Sequence, residues 1–225
     1  MKKISLLVSA IAIAAIFSAC TKNKTGPNTN ASVMFVNGCA GATGIYTKVN
    51  GTNVGPSNIG FFGKSDYLNV TAGTANISFY LNGAASGTLL SSGAPALTAN
   101  THYSIFVGGI ITSPAFVTVT DDLAAPTSGN AKIRFINLSS DNLNSSFSVG
   151  VQTLDSNIVY TECSPFYQVT AGNYTLKGGD PSNISTIATI PGAVLAAGKM
   201  YTVMLTGSQT GTATSALTLT LLNNN

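Results

Sequence analysis

The chain contains a single histidine, His102, so any catalytic mechanism that needs an imidazole must use this residue. His102 directly precedes Tyr103 on a predicted strand, and a second copy of the same sequence block carries Met200 in its place. A position that accepts either His or Met is typical of strand packing. The sequence therefore predicts no catalytic residue here, and it contains no Gly-x-Ser-x-Gly nucleophile elbow.

Acidic residues are few and scattered, and only Asp121 and Asp122 are adjacent. They follow a predicted strand, where a solvated strand end is the interpretation we favour and a calcium contact is the alternative. Gly63-Lys64-Ser65 is similar to part of a phosphate-binding loop, but the next residues predict a strand instead of the required helix. No carboxylate spacing selects a pair for glycoside hydrolysis. We therefore expect no metal site and no cofactor.

Three pairs of adjacent aromatic residues are better suited to ligand contact: Phe61-Phe62, Phe79-Tyr80 and Phe166-Tyr167. Neighbouring residues on a strand face opposite sides, so each pair is predicted to place one ring in the core and the other outside. Asn and Ser side chains beside an outer ring suit a sugar, but Trp is absent, and packing against the partner domain is the interpretation we favour. Both alternatives stay open at this point.

The N-terminus has the pattern of a secretion signal. Lys2 and Lys3 precede an apolar run that ends at Phe17 and is shorter than the roughly 20 residues of a transmembrane helix. Phe17-Ser18-Ala19-Cys20 resembles the lipobox of bacterial lipoproteins, with Phe17 where Leu is usual. The pattern predicts a signal peptide over residues 1–19. An uncleaved membrane helix and a plain signal peptide are the alternatives.

The lipobox resemblance implies that Cys20 carries the lipid that holds the protein to a membrane. Residues 20–30 are polar and contain Gly26 and Pro27, which predicts a flexible tether after the lipidated cysteine. Thr21 is not the aspartate that retains lipoproteins in the inner membrane of enteric bacteria. The resemblance thus implies a location in the cell envelope at the outer membrane, on a face that the sequence does not specify.

Composition excludes one class of partner. Removing Lys2 and Lys3 from the ten basic residues leaves eight, against seven acidic residues, so the mature chain lacks the basic footprint of a nucleic-acid-binding protein. Cys39 and Cys163 have no histidine partners and cannot form a credible zinc site. We expect two separate thiols, with an interdomain disulfide as the alternative.

Three sequence blocks occur twice in the same order, with offsets of about 100 residues. The repeated blocks are Val33–Asn37 with Ile133–Asn137, Val70–Gly73 with Val169–Gly172, and Leu97–Val107 with Leu195–Leu205. This predicts two copies of one domain, over residues 31–123 and 131–222. A linker over residues 124–130 and a tail over residues 223–225 complete the division.

Each copy has the pattern of a β-sandwich. Alternating apolar residues predict strands around Ile77–Leu81 and Phe116–Thr120, and Asn50-Gly51 predicts a tight hairpin. Short strands separated by frequent turn residues favour an all-β fold of two tandem Ig-like or Greek-key sandwiches. Tyr103 and Tyr201 hold matching places, which predicts packing roles with each hydroxyl bonded to the backbone.

Several of these segments are similar to the motifs of the domain of unknown function 4397 family. In the first copy they are Ala31–Asn37, Ile45–Thr52, Val70–Gly73 and Leu97–Gly109, and in the second Thr170–Leu176 and Leu195–Val203. The second copy departs from the family's Asn-Gly hairpin, where it has Val149-Gly-Val-Gln152. The resemblance implies tandem β-sandwich modules of exported bacterial proteins and no established activity.

The sequence thus favours a non-catalytic, lipid-anchored protein of the cell envelope that serves in binding or assembly. Its partners would be the membrane, through Cys20, and an envelope protein or a glycan. A glycan-binding or adhesive module is the first alternative. A hydrolase that depends on His102 or a carboxylate pair is the second alternative and the less favoured one.

Overall fold

The structure, a computed structural model, describes residues 29–82, 87–141, 144–183, 187–212 and 215–224. The regular elements of these ranges are β-strands arranged in several sheets, which confirms the predicted all-β, sandwich fold class. The predicted signal peptide and Cys20 lie outside the described residues. Within the described part of the chain, no helix is long and apolar enough to span a membrane.

The strands up to Asp121 form a four-stranded sheet, a five-stranded sheet and a two-stranded sheet. In chain order the strands are β1 (Asn30–Asn37), β2 (Gly44–Val49), β3 (Thr52–Asn53), β4 (Ile59–Gly60), β5 (Leu68–Thr71), β6 (Gly73–Thr74), β7 (Ile77–Leu81), β8 (Thr88–Gly93), β9 (Ala96–Leu97), β10 (His102–Ile110) and β11 (Ser113–Asp121). The inner sheet has the order β11-β10-β1-β5, and the outer sheet has the order β3-β2-β7-β8. In addition, β4 pairs with β2, and β6 pairs with β9.

The strands from Asn130 onward form a second inner and a second outer sheet. They are β12 (Asn130–Asn137), β13 (Asn144–Val149), β14 (Gln152–Val159), β15 (Tyr167–Thr170), β16 (Gly172–Gly179), β17 (Ile187–Leu195), β18 (Met200–Thr206) and β19 (Thr218–Asn223). The inner sheet has the order β15-β12-β18-β19, and the outer sheet has the order β14-β13-β16-β17.

The parallel strand pair at the centre of each half has the same register. β1 pairs in parallel with β10, with Val33 opposite Tyr103, and β12 pairs in parallel with β18, with Ile133 opposite Tyr201. Matching ladders allow residues of one half to be assigned to residues of the other, as His102 is to Met200. Independent folding of residues 31–123 and 131–222 stays a prediction.

The central strands of the inner sheets are buried on both faces. Val33 and Ile105 belong to the core between the sheets of the first half, whereas Met34, Val36 and Phe106 belong to a cluster that joins the two halves. The second half contributes Ile136, Leu138, Met204 and Leu222 to the same cluster. Burial on both faces explains why these strands read as continuous apolar runs, since strict alternation requires one solvated face.

The predicted hairpin at Asn50-Gly51 is confirmed. Both residues have positive φ angles, 49° and 82°, which match a type I′ turn between β2 and β3. The second half keeps a two-residue hairpin at the matching place although its sequence differs. There Gly150 has a φ angle of 61° and Val151 is fully exposed between β13 and β14.

Tyr103 and Tyr201 have the packing role that the repeats predict. Each side chain is buried, and each hydroxyl accepts a hydrogen bond from a backbone N–H located five residues earlier. The donors are Thr98 and Ala196, both at 3.1 Å. The ring fills the core of its half while the hydroxyl keeps a partner, which avoids the cost of an unpaired buried oxygen.

Candidate functional site

His102 lies at the start of β10, where its ring packs edge-on against Tyr67 with the centroids 5.3 Å apart. In the described ranges, no hydroxyl or thiol side chain is hydrogen-bonded to the imidazole. The nearby Ser104 hydroxyl is buried and donates to the Asp121 carboxylate at 2.7 Å. The structure therefore places His102 in side-chain packing, in agreement with its exchange for Met200.

The expectation of a solvated strand end at Asp121-Asp122 is wrong for Asp121 and right for Asp122. Asp121 is buried, and its carboxylate accepts hydrogen bonds from Arg134 at 2.6 Å and from Tyr67 at 2.6 Å. Asp122 is largely exposed and contacts Lys132 at 3.2 Å. The strand ends at the junction of the two halves, so its last residue is covered instead of solvated.

The calcium alternative also fails at Asp121, because a guanidinium and two hydroxyl groups occupy its oxygens. Burial, followed by the Asp121 charge, raises the pKa of the Tyr67 hydroxyl well above its ordinary value. In the described part of the chain, no group of three or more His, Cys, Asp or Glu residues is arranged to hold a metal ion.

Arg134 is the centre of a buried polar network between the halves. Its guanidinium donates to Asp121 and Ser104 of the first half, and its Nε donates to Thr202 at 2.9 Å. The guanidinium also lies over the Phe166 ring, with Cζ 4.6 Å from the ring centroid. This network has no opening to solvent at Arg134, which is 1% exposed, so its role is to join the halves.

Ser65 has a structural role that rules out the phosphate-loop interpretation of Gly63-Lys64-Ser65. The buried Ser65 hydroxyl accepts from the Phe35 backbone N–H at 3.0 Å, and strand β5 begins shortly afterwards. Ser164 holds the matching place, since its hydroxyl accepts from the Phe135 N–H at 3.0 Å. The serine and its backbone hydrogen bond are thus a structural feature of both halves, whereas the two residues before it differ.

Cys39 and Cys163 are free thiols, as expected. Burial raises the pKa of Cys39 to about 12 and that of Cys163 to about 11. A thiol of such high pKa is a poor nucleophile at neutral pH, because only the thiolate reacts.

The three aromatic pairs behave differently. Phe79 is buried while Tyr80 is half-buried on the other face of β7, which confirms the predicted alternation for this pair. The strand basis of the prediction is wrong for Phe61-Phe62, which lies in a turn. The two rings stack on each other with centroids 3.7 Å apart, and Phe62 packs against the cluster that joins the halves. Tyr167 packs on the core of the second half, and Phe166 packs against Arg134.

Tyr80 forms an aromatic surface with a residue of the neighbouring strand. Tyr46 on β2 lies directly opposite Tyr80 on β7, and their rings stack with centroids 5.2 Å apart and planes 15° apart. Lys48, two residues further along the same face, places its Nζ 4.8 Å from the Tyr80 centroid and 5.9 Å from the Tyr46 centroid. These three residues are named the tyrosine platform.

A cavity of about 300 Å³ borders the tyrosine platform. It is lined by Tyr46, Thr47, Lys48, Asn53, Gly55, Pro56 and Ser57. Tyr46 therefore presents one ring face to Tyr80 and borders the cavity. Asn53 and Ser57 supply an amide and a hydroxyl group, both exposed, at the same cavity.

The wall of the cavity is fixed to the sheet. The Thr47 hydroxyl, buried under the platform, donates to the Val54 carbonyl, and the Val54 N–H donates to the Thr47 carbonyl at 3.0 Å. The Asn82 amide donates to the Ser57 carbonyl at 3.3 Å. Gly87 approaches the Tyr46 hydroxyl so closely that a Cβ atom there would collide with it. These contacts hold the cavity wall in place against the sheet.

The matching face of the second half lacks the platform. The residues opposite each other there are Ser146 and Gly179, in place of Tyr46 and Tyr80, and Ser148 stands in place of Lys48. A smaller cavity of about 180 Å³ lies at this face, and its lysine, Lys177, is on the neighbouring strand. The platform is therefore a property of one half and is not required by the shared fold.

Comparison with known proteins gives a family. The model of the family described as "Domain of unknown function (DUF4397)" matches residues 31–145, which is more than half of the chain. The chain belongs to this family. The match confirms the resemblance of the first-copy motifs, which lie between Ala31 and Gly109, and it includes all three residues of the tyrosine platform. No curated protein matches the chain.

Solved structures matched by this member of the DUF4397 family include two of low similarity. One is a "putative cell adhesion protein" from Bacteroides uniformis, 11% identical, with 88% of this chain and 100% of that chain covered and a TM-score of 0.26. The other is a "putative cell adhesion protein" from Bacteroides fragilis, 11% identical, with 87% of this chain and 98% of that chain covered and a TM-score of 0.21.

Sequence reasoning found Tyr80 in this DUF4397 protein but missed Tyr46 and Lys48. The signal for both was available, since they alternate with buried Ile45, Thr47 and Val49 on β2. What the sequence did not provide was the pairing of β2 with β7, which brings Tyr46 opposite Tyr80 across about 30 residues of chain. The register between distant strands creates the platform.

Proposed function

We propose that this protein is a non-catalytic carbohydrate-binding module, held at the bacterial cell envelope by a lipid on Cys20. The observation that carries the proposal is the tyrosine platform beside a cavity on the first half. Aromatic residues with one face on a cavity and polar groups nearby are the usual composition of a small-molecule site.

The chemistry of the cavity suits a sugar ring. A pyranose has an apolar face of C–H groups and a rim of hydroxyl groups. The Tyr46 ring offers an apolar surface with low conformational freedom, because Tyr80 supports it from the other side. Asn53 and Ser57 offer both hydrogen-bond donors and acceptors to the hydroxyl rim.

The same cavity supports binding without catalysis. Glycoside hydrolysis ordinarily needs two carboxyl groups on either side of the scissile bond. The residues that line the cavity in the described part of the chain supply no carboxylate. A sugar bound there would meet stacking and hydrogen-bonding groups but no carboxyl group among these lining residues.

Attachment to the envelope is proposed from the N-terminal sequence. The basic start, the short apolar run and Phe17-Ser18-Ala19-Cys20 support cleavage before Cys20 and acylation of its thiol. We expect Cys20→Ala to abolish labelling of the protein by a radioactive fatty acid in growing cells. Mature wild-type protein with an unmodified Cys20, soluble without detergent, would contradict the anchor.

The binding proposal is tested on a glycan array with the purified protein and two variants. We expect Tyr46→Ala to abolish binding of every glycan that the wild type retains. The matched control is Ser146→Ala, which changes the equivalent position of the second half and leaves binding intact. If the wild type retains no glycan, or if Tyr46→Ala binds as well as the wild type, the proposal is wrong.

A further inference from the structure

We infer that the ligand of the tyrosine platform is an acidic saccharide, whose carboxylate is bound by Lys48. This inference rests on the proposed function and adds the chemical class of the sugar. It is based on the positive charge of Lys48, whereas the proposed function is based on the tyrosine rings and the cavity.

Lys48 is a cation that the protein itself leaves unneutralised. Among the described residues, Arg134 forms an ion pair with Asp121, and Lys132 forms one with Asp122. Lys48 has no such carboxylate partner there, and its Nζ lies over the Tyr80 ring instead. A ring face attracts the ammonium group but satisfies none of its three N–H donors.

The position of Lys48 places that charge beside the sugar-binding surface. Lys48 lines the cavity together with Tyr46, and its stem crosses the same face of β2. A saccharide that covers the Tyr46 ring would therefore have its rim within reach of the ammonium group. A neutral sugar would leave the charge without a counter-ion, whereas a carboxylate would neutralise it.

The low charge of the protein strengthens this preference. Charged residues are 8% of the chain, against about 25% in typical domains, so few competing charges exist on its surface. The residues that line the cavity carry one charge, that of Lys48, among the described residues. The lining residues thus contribute a net positive charge, although the mature chain as a whole is close to neutral.

The second half offers a natural comparison. Lys177 lines the matching cavity, but the two positions of the tyrosine pair are Ser146 and Gly179. Charge is thus present there without an aromatic surface. If charge alone is sufficient to bind acidic glycans, both cavities should contribute to binding. If stacking on an aromatic ring is also needed, only the cavity of the first half should bind them.

The test compares matched acidic and neutral sugars by isothermal titration calorimetry on the full protein. The probes are trigalacturonic acid with its methyl ester, and 3′-sialyllactose with lactose. We expect the acidic member of at least one pair to bind about tenfold more tightly than the neutral member. This ratio corresponds to the lower end of the free energy of a hydrogen bond to a charged group. The difference should shrink as salt is raised from low to high concentration.

Variants separate this inference from the proposed function. Lys48→Gln should lower the affinity for the acidic sugar about tenfold more than the affinity for its neutral partner, which removes the acidic preference, and Lys48→Arg should keep the preference. Lys177→Gln, the control, should change nothing. Equal affinity for acidic and neutral sugars in the wild type overturns the inference and leaves the proposed function standing. Absence of binding to both members of both pairs, with glycans retained on the array, also overturns the inference. If the array retains none either, the proposed function fails with it.

Discussion

Asp121 and Asn224 occupy the same position in the two halves of the protein, but only Asp121 carries a charge. Asp121 lies opposite His102, and the Asn224 N–H donates to the carbonyl of Met200, the residue that matches His102. Each side chain accepts a hydrogen bond from the hydroxyl of the neighbouring strand, from Ser104 at 2.7 Å and from Thr202 at 2.9 Å.

The difference has a simple cause. Arg134 stands where the first half has Met34, because Met34 pairs with Ser104 and Arg134 pairs with Thr202. The guanidinium of Arg134 reaches across to Asp121 of the other half, and both side chains are excluded from solvent. The junction is thus built from duplicated positions, of which one pair has become an ion pair.

The first prediction concerns this ion pair. Arg134→Met leaves the Asp121 carboxylate buried without its cation and should lower the free energy of unfolding by about 3–5 kcal/mol. The double variant Arg134→Met with Asp121→Asn gives both halves the uncharged pattern of Met34 and Asn224. It should be more stable than Arg134→Met alone. Urea denaturation at pH 7 measures the free energy of unfolding of these variants and of Asp121→Asn. If the loss in the double variant equals the sum of the losses in the two single variants, the account is contradicted.

The second prediction concerns Tyr201. Tyr201→Phe removes the hydroxyl that accepts from Ala196 and should cost about 1 kcal/mol of unfolding free energy. Tyr201→Ala removes a buried ring and should cost about 3–5 kcal/mol. Chemical denaturation checks both values, and Tyr103→Phe provides the matched variant in the first half. An unaltered stability of Tyr201→Ala would show that the ring is not part of the core.

The third prediction concerns the two thiols. Because burial raises the pKa of Cys39 to about 12 and of Cys163 to about 11, almost no thiolate exists at pH 8. Iodoacetamide should therefore leave both residues unmodified in the folded protein and modify both in denaturant, as measured by mass spectrometry. Rapid alkylation of either residue without denaturant, or a disulfide between them, would be inconsistent with the structure.

The repeats explain why so much of the fold could be predicted. Matching blocks fixed the equivalence of Tyr103 with Tyr201, and Asn50-Gly51 predicted a hairpin whose backbone angles are now known. These features are local, or are repeated at a constant offset, so a single sequence contains them. The burial of Asp121 was not local, since it depends on how β11 meets Arg134 of the other half.

The candidate site was predictable only in part for the same reason. Alternation along β7 placed Tyr80 outside and Phe79 inside, as observed. The partner ring Tyr46 and the charge of Lys48 reach it through the pairing of β2 with β7, which no local pattern specifies. Alternation does not hold at Phe61-Phe62, because these residues lie in a turn and not in a strand.

The central claim is that sugars bind at the tyrosine platform, and it is tested most directly by locating the bound sugar. A glycan retained on the array is titrated into isotope-labelled protein while backbone amide shifts are recorded by NMR. We predict shifts at Tyr46, Lys48 and Asn53, with none at Ser146 or Lys177 of the matching face. Shifts confined to the second half, or to the junction around Arg134, would contradict the claim.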